Sequence, residues 1–303
     1  MVGKTGADKT GFVGLGNMGG PMVRNLLKAG HKVVVHDLDA RKVQALSEAG
    51  AEVAASPLAL AKECTRLICM VETTDQARTV ITGDTGFIRG ASAGKIVICM
   101  STIDPFVLRE MAEVLAAQGI GMLDAPVSGG TTGAAAGTLS VIVGGATETF
   151  AACEDLFKAM GGNVFHCGGL GNGLAMKLLN NMLLQVNVVA IAEAMVFGVK
   201  AGLEPQQIWD VISVSTGRSN AFERAVPRMI SGDFSASGTM DISYKDQELE
   251  TGFAKKLGVP LLLANVTQQV YQMGRAAGYG KQDGSAIVKV IEQLAGVQVG
   301  KRE

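Results

Sequence analysis

Gly11-Phe12-Val13-Gly14-Leu15-Gly16-Asn17-Met18-Gly19-Gly20-Pro21-Met22 decides the fold of this chain. A short apolar run leads into a G-x-G-x-x-G turn, and a helical segment follows it. Each glycine has its own task in that setting. Gly14 permits the tight turn, Gly16 lets the backbone approach a pyrophosphate, and Gly19 allows close helix–strand packing. The helix start at Asn17 and Met18 offers unpaired N–H groups to phosphate oxygens. Asp37 closes the next apolar run, Lys32–His36, at about the 20-residue distance expected of a carboxylate that accepts from ribose hydroxyls. Its charge, reinforced by Asp39, repels a 2′-phosphate and favours NAD over NADP. Arg41 and Lys42 pull the other way.

Working outward, Arg66–Val71 and Lys95–Met100 are further buried-strand candidates. Continuous apolar runs suit a parallel sheet covered on both faces. The alternation of strands and helices predicts an α/β Rossmann-type N-terminal domain over residues 1–170. Segments 121–123, 140–143 and 163–166 are expected to extend the same sheet. Beyond Gly173 the pattern becomes helical. A long helix to about Lys200, roughly 40 Å at 1.5 Å per residue, is expected to join the domains, with the cleft between them. Ala201-Gly202 stops it, and Pro205 suits the next helix start. Segments 205–215, 219–231, 244–257, 260–278 and 282–296 have helical spacing. They predict an all-α C-terminal domain within 171–303.

The 303 residues are 48% hydrophobic and 18% charged, enough for a large core. A formal net charge of -1 gives no electrostatic reason to expect nucleic acid or an anionic membrane. Five cysteines without a CxxC pair, and only three histidines, predict no metal site. Free thiols in a reducing compartment and a polar start at Met1–Thr10 point to a cytoplasmic protein. The most apolar stretch, Leu178–Ala192, contains Asn180, Asn181, Gln185 and Asn187. Those amides predict a helix buried in protein, not lipid.

Inside that helix lies Gly171-Asn172-Gly173-Leu174-Ala175-Met176-Lys177-Leu178-Leu179-Asn180-Asn181. Lys177 and Asn181 are four residues apart and share a helix face. From Leu174 to Gly198 only Lys177 and Glu193 carry charge. Either Lys177 reaches out to solvent along its alkyl stem, or it is a buried lysine whose lowered pKa suits acid/base chemistry. Ser128-Gly129-Gly130 exposes successive N–H groups and a hydroxyl, a nest able to hold a carboxylate.

Four motifs in this order resemble the β-hydroxyacid dehydrogenase family, over about Gly11 to Val299. They are Phe12–Met22; Asp124–Gly130 with Gly133-Ala134 and Gly137–Leu139; Gly171–Asn181; and Lys245-Asp246. Ser101-Thr102 before Pro105 resembles the family's turn beside the nicotinamide. The resemblance implies reversible oxidation of a 3-hydroxy acid. Ser128, Gly129 and Gly130 would hold the substrate carboxylate. Lys177 would be the general acid/base, with Asn181 aligning substrate or lysine and with both the apolar helix and the nicotinamide charge lowering the lysine pKa. Thr102 and Lys245 would contact the cofactor. Asp246 would orient Lys245 or cap its helix. A homodimer or homotetramer is the implied assembly.

Members acting on small branched substrates have an aromatic residue after the Gly-Asp-Phe turn. Here Gly232-Asp233-Phe234 is followed by Gly238 at that position, which implies a wider pocket. Ser215–Ala221 is most similar to the 2-(hydroxymethyl)glutarate dehydrogenase branch. It makes Arg218, Ser219 and Asn220 candidate pocket residues. Arg218 either pairs with a second substrate carboxylate or is a surface arginine. An imine reductase-like enzyme and a dinucleotide-binding protein without turnover are the alternatives. Both would sit uneasily with Lys177, Asn181 and Ser128 together.

Overall fold

The computed structural model describes residues 8–236 and 238–300. Most of the Met1–Thr10 stretch, and Ser237 in the segment leading to Thr239, lie outside the described residues. The chain divides into two compact units, Met1–Lys177 and Leu178–Glu303.

The first unit is built on strands β1 (Lys9–Val13), β2 (Lys32–His36), β3 (Glu52–Val53), β4 (Arg66–Cys69), β5 (Ile96–Cys99) and β6 (Gly121–Asp124). They form one sheet of order β3-β2-β1-β4-β5-β6, and every neighbouring pair is parallel. Helices α1 (Gly19–Lys28), α2 (Ala40–Ser47), α3 (Pro57–Glu63), α4 (Thr74–Thr82) and α5 (Pro105–Ala116) make the connections. Two apolar clusters form the core. Phe12, Val33, Val35, Ile68 and Ile98 belong to one; Val13, Val34, Leu67, Cys69 and Val97 belong to the other. Alternate residues of each strand therefore join opposite clusters, which is why the strands read as unbroken apolar runs. The sheet order reverses between β1 and β4, and such switch points bind ligands at the carboxyl ends of the strands.

Only the first of the three proposed extensions joins this sheet, as β6. The other two form a separate sheet of order β7-β8-β9, from β7 (Val127–Ser128), β8 (Leu139–Val143) and β9 (Gly161–His166). The chain leaves β6 through Ala125-Pro126 and pairs antiparallel with β8, Val127 opposite Val141. Pro126 has no N–H to continue a ladder, but its carbonyl accepts from the Ile142 N–H at 3.0 Å. Helix α6 (Gly130–Ala136) follows β7, and α7 (Thr147–Ala151) and α8 (Glu154–Met160) join β8 to β9. The two-residue β3, exposed at both positions, carries no apolar signal that could have announced it.

The long predicted helix is α9 (Asn172–Lys200). Leu174 joins the core of the first unit, while Val188, Val189, Ala192, Met195 and Val196 join that of the second. By length and composition α9 could cross a membrane. Instead it buries Lys177, Asn181 and Gln185 within the protein. The second unit continues with α10 (Pro205–Ile212), α11 (Asn220–Ser231), α12 (Met240–Lys256), α13 (Leu262–Ala276) and α14 (Val288–Ala295). Helix α12 begins four residues before the predicted 244, capped by Thr239, which accepts from the Ile242 N–H at 3.3 Å. The five cysteines are free, and all but Cys167 are buried. Burial pushes the thiols of Cys64, Cys99 and Cys153 up to about 12.

Candidate active site

The glycine turn sits at the carboxyl end of β1. Gly14 has φ +98, and a Cβ there would lie 2.2 Å from the Met70 carbonyl oxygen. A Cβ on Gly19 would lie 1.9 Å from the Gly14 carbonyl oxygen, so helix and turn touch backbone to backbone. At Gly16 a Cβ would meet nothing within 4 Å. Two glycines are thus explained by the fold itself, and the third faces open space. Helix α1 has no side-chain cap and no acidic residue in its first turn. Asn17 and Met18 precede it directly, so uncompensated N–H groups and the positive helix end gather there.

Asp37 lies just past β2. Its Oδ2 accepts from the Leu15 N–H at 2.6 Å and its Oδ1 from the Asp39 N–H at 2.8 Å. It therefore braces the turn while each oxygen retains a lone pair for a ligand hydroxyl. Arg41 donates to both oxygens of Asp39, from Nε at 3.1 Å and from a terminal nitrogen at 3.0 Å. The hydrogen-bonded Arg41 guanidinium holds the Asp39 carboxyl below the usual carboxylate range. An open glycine, a bare helix start and a carboxylate at the next strand end fit a dinucleotide.

At the ends of β4 and β5, the Ser101 hydroxyl accepts from the Val71 N–H at 2.7 Å. Buried Ser101 ties the two strand ends together, and its neighbour Thr102 is partly exposed. Past β6, Ser128 is partly exposed and Gly129 fully so. Gly129 and Gly130 have φ +131 and +64, backbone that glycine adopts far more readily than other residues. Asn25 of α1 donates to the Ala134 carbonyl at 2.7 Å, so the helix of the phosphate turn holds the helix that follows the nest.

Lys177 is 9% exposed. It is therefore the buried lysine of the two readings, and not one extended into solvent. Asn181, one turn further along α9, is 7% exposed. Its Nδ2 donates to Asp246 Oδ2 at 2.7 Å, and its Oδ1 accepts from Asn180 Nδ2 at 3.2 Å. Lys245 Nζ lies 3.0 Å from Asp246 Oδ1. Asp246 is buried in the second turn of α12, so it does not cap that helix. It orients Lys245 and fixes the Asn181 amide at once.

Asp124 stands in the Asp124–Gly130 motif, but the sequence assigns it no role of its own. Its signal is a carboxylate at the end of an otherwise apolar strand, β6. Arg218 pairs with Glu223 at 2.5 Å, and both side chains are exposed. The Ser219 hydroxyl accepts from the Phe222 N–H at 3.1 Å as the cap of α11, and Asn220 is exposed. Among the described residues no group of three or more His, Cys, Asp or Glu side chains is placed to hold a metal.

Residues 9–169 match the family described as the NAD binding domain of 6-phosphogluconate dehydrogenase. Residues 171–291 match that described as NAD-binding of NADP-dependent 3-hydroxyisobutyrate dehydrogenase. The chain is 39% identical to 2-(hydroxymethyl)glutarate dehydrogenase of Eubacterium barkeri, over 96% of this chain and 97% of the relative. It is 36% identical to the mitochondrial 3-hydroxyisobutyrate dehydrogenase of Mus musculus, over 95% of this chain and 88% of the relative. The structure of 3-hydroxyisobutyrate dehydrogenase of Mycobacterium tuberculosis with L-serine aligns with a TM-score of 0.87 at 32% identity, covering 94% of this chain and 99% of that one. With its NAD(P)-binding first unit and its helical second unit, the chain belongs to the β-hydroxyacid dehydrogenase family and is a 3-hydroxyacid dehydrogenase of the 3-hydroxyisobutyrate dehydrogenase type.

Proposed function

We propose that the protein interconverts a 3-hydroxy acid and the corresponding 3-oxo acid or semialdehyde, with Lys177 as general acid/base and NAD as the preferred cofactor. The observation that carries this reading is a lysine 9% exposed in the first third of an apolar helix, with Asn181 one turn beyond. Bound nicotinamide dinucleotide would supply the hydride acceptor or donor. Ser128, Gly129 and Gly130 would bind the substrate carboxylate. Neutral Lys177 would take the hydroxyl proton during oxidation, and protonated Lys177 would return it to the carbonyl oxygen during reduction. Asn181, its amide fixed by Asp246, would align the substrate oxygen or the lysine. Thr102 and Lys245 are assigned to the cofactor on the family pattern.

Preference for NAD is supported by the two lone pairs Asp37 keeps for a ribose and by the engagement of Arg41 with Asp39. The wider pocket implied by Gly238 favours a substrate larger than 3-hydroxyisobutyrate. A Cβ at Gly238 would meet nothing within 4 Å. Cytoplasmic residence is supported by five free cysteines. The test is dinucleotide reduction with 3-hydroxyisobutyrate, glycerate, threonate, serine, 4-hydroxybutyrate and 2-(hydroxymethyl)glutarate, each with NAD and NADP. We expect a 3-hydroxy acid to dominate, with kcat/KM about tenfold or more higher for NAD. Dinucleotide binding without turnover of any acid would return the chain to the non-catalytic reading.

We further propose a homodimer or homotetramer. Met176, Leu179, Leu183 and Phe197 project from one face of α9, with Phe197 76% exposed, and Leu262, Leu263 and Val266 are exposed on α13. Apolar surface of this extent commonly marks an interface. Light scattering should give two or four times the chain mass. Phe197→Glu with Leu183→Glu should lower that mass to the single chain, with circular dichroism unchanged. An unchanged mass would remove this face from the assembly.

A further inference from the structure

We propose that Asp124 is the positioning residue that fixes the separation between the Ser128–Gly130 turn and Lys177, and so selects which carbon of a hydroxy acid is oxidised. This inference rests on the reaction proposed above. Asp124 is the last residue of β6 and is fully buried. Its Oδ1 accepts from the Gly171 N–H and its Oδ2 from the Leu174 N–H, both at 2.7 Å. These donors belong to the start of α9, where N–H groups lack partners within the helix. Such groups are usually satisfied by a cap in the adjoining chain. Here a strand far away in sequence supplies both acceptors, and Lys177 lies three residues beyond the second.

The other side of Asp124 is just as firmly held. Its N–H donates to Gly144 O at 3.1 Å, and its carbonyl accepts from the Gly144 N–H at 2.8 Å. The same antiparallel ribbon continues to Ser128 opposite Ser140. One residue therefore joins, through its backbone, the strand leading to the carboxylate turn and, through its side chain, the helix bearing the lysine.

The joint has little slack. A Cβ on Gly173 would lie 2.4 Å from Ile142 O and 2.8 Å from Asp124 Oδ2. Arg109 holds the preceding turn, its Nε donating to Leu170 O at 3.3 Å. Burial raises the Asp124 carboxyl above its ordinary value, against the pull of the Gly171 and Leu174 N–H groups. A raised carboxyl favours folding more when protonated, so stability from this group falls as pH rises through its titration. Retaining a carboxyl there has its reason in geometry more than in stability.

The full-length protein and its Asp124→Glu and Asp124→Asn variants should be compared on 3-hydroxypropionate and 4-hydroxybutyrate at saturating NAD. An extra methylene at 124 should shift the kcat/KM ratio toward the longer acid by about tenfold, through kcat more than KM. Asp124→Asn keeps one acceptor of two and should lower kcat on 3-hydroxypropionate about 100-fold, the scale of a 1 Å misplacement. NAD affinity should stay within about twofold, since the glycine turn is untouched. If neither variant folds by circular dichroism, Arg109→Gln, which frees the Leu170 carbonyl, should move the same ratio in the same direction. Equal losses on both acids would reduce Asp124 to a structural residue and overturn the inference alone. No turnover by the unsubstituted chain of these two acids or of any acid in the panel above would overturn the 3-hydroxy acid reading beneath it.

Discussion

Lys177→Ala should lower kcat by about 10²–10⁴-fold, the contribution of a positioned general acid/base, while NAD affinity stays within about twofold. The lysine lies on α9, a different element from the glycine turn and Asp37 that the cofactor would occupy. Its loss should therefore appear in turnover and not in dinucleotide binding. Lys177→Arg should be almost as damaging, because a guanidinium keeps its proton throughout the working range. The pH profile supplies a second readout. Neutral lysine is competent for oxidation and protonated lysine for reduction. The oxidation rate should rise with pH, and the reduction rate fall, through the same titration, and both dependences should vanish in the alanine variant. Near-normal turnover by Lys177→Ala, with NAD binding verified by fluorescence of the reduced cofactor, would remove the lysine from the chemistry.

The second large effect separates the glycines of one motif. Gly14→Ala puts a methyl group 2.2 Å from Met70 O at φ +98, a clash with backbone in a conformation L-residues avoid. It should lower the melting temperature by several degrees, a loss of about 1–3 kcal/mol, and abolish detectable dinucleotide binding. Gly16→Ala meets nothing within 4 Å. It should leave the melting temperature within about one degree, yet weaken NAD binding about 10- to 100-fold through loss of close backbone approach. Thermal unfolding with and without NAD distinguishes the two. Equal behaviour of both variants would mean that the open side of Gly16 is not where the pyrophosphate lies.

These features differed in how plainly the sequence announced them. The glycine turn, Asp37 and the long helix rest on local patterns, a tight turn and a change of periodicity, and local patterns are written in consecutive residues. The fate of Ser140–Val143 is not local. Whether β8 joins the main sheet depends on how the chain leaves β6 at Pro126, and its apolar run reads alike in either sheet. The partners of Asp124 and Asp246 lie 47 and 65 residues away in sequence, at Gly171 and Asn181. Spacing cannot reveal such pairings. Arg218 shows the converse: its partner Glu223 is only five residues away, yet an arginine near a helix start fits both a surface pair and a ligand contact.

The cysteines give the molecule an internal reporter of its own motions. A thiol reacts as thiolate, and burial largely denies that form to Cys64, Cys69, Cys99 and Cys153 at neutral pH. Their labelling therefore waits for global unfolding. Cys167 is only partly buried, and its carbonyl accepts from Asn172 Nδ2 at the head of α9. Its reactivity instead follows local opening of the turn that leads into the lysine helix. The ratio of the two labelling rates measures how much more easily that turn opens than the whole fold, in a chain with no substitution at all.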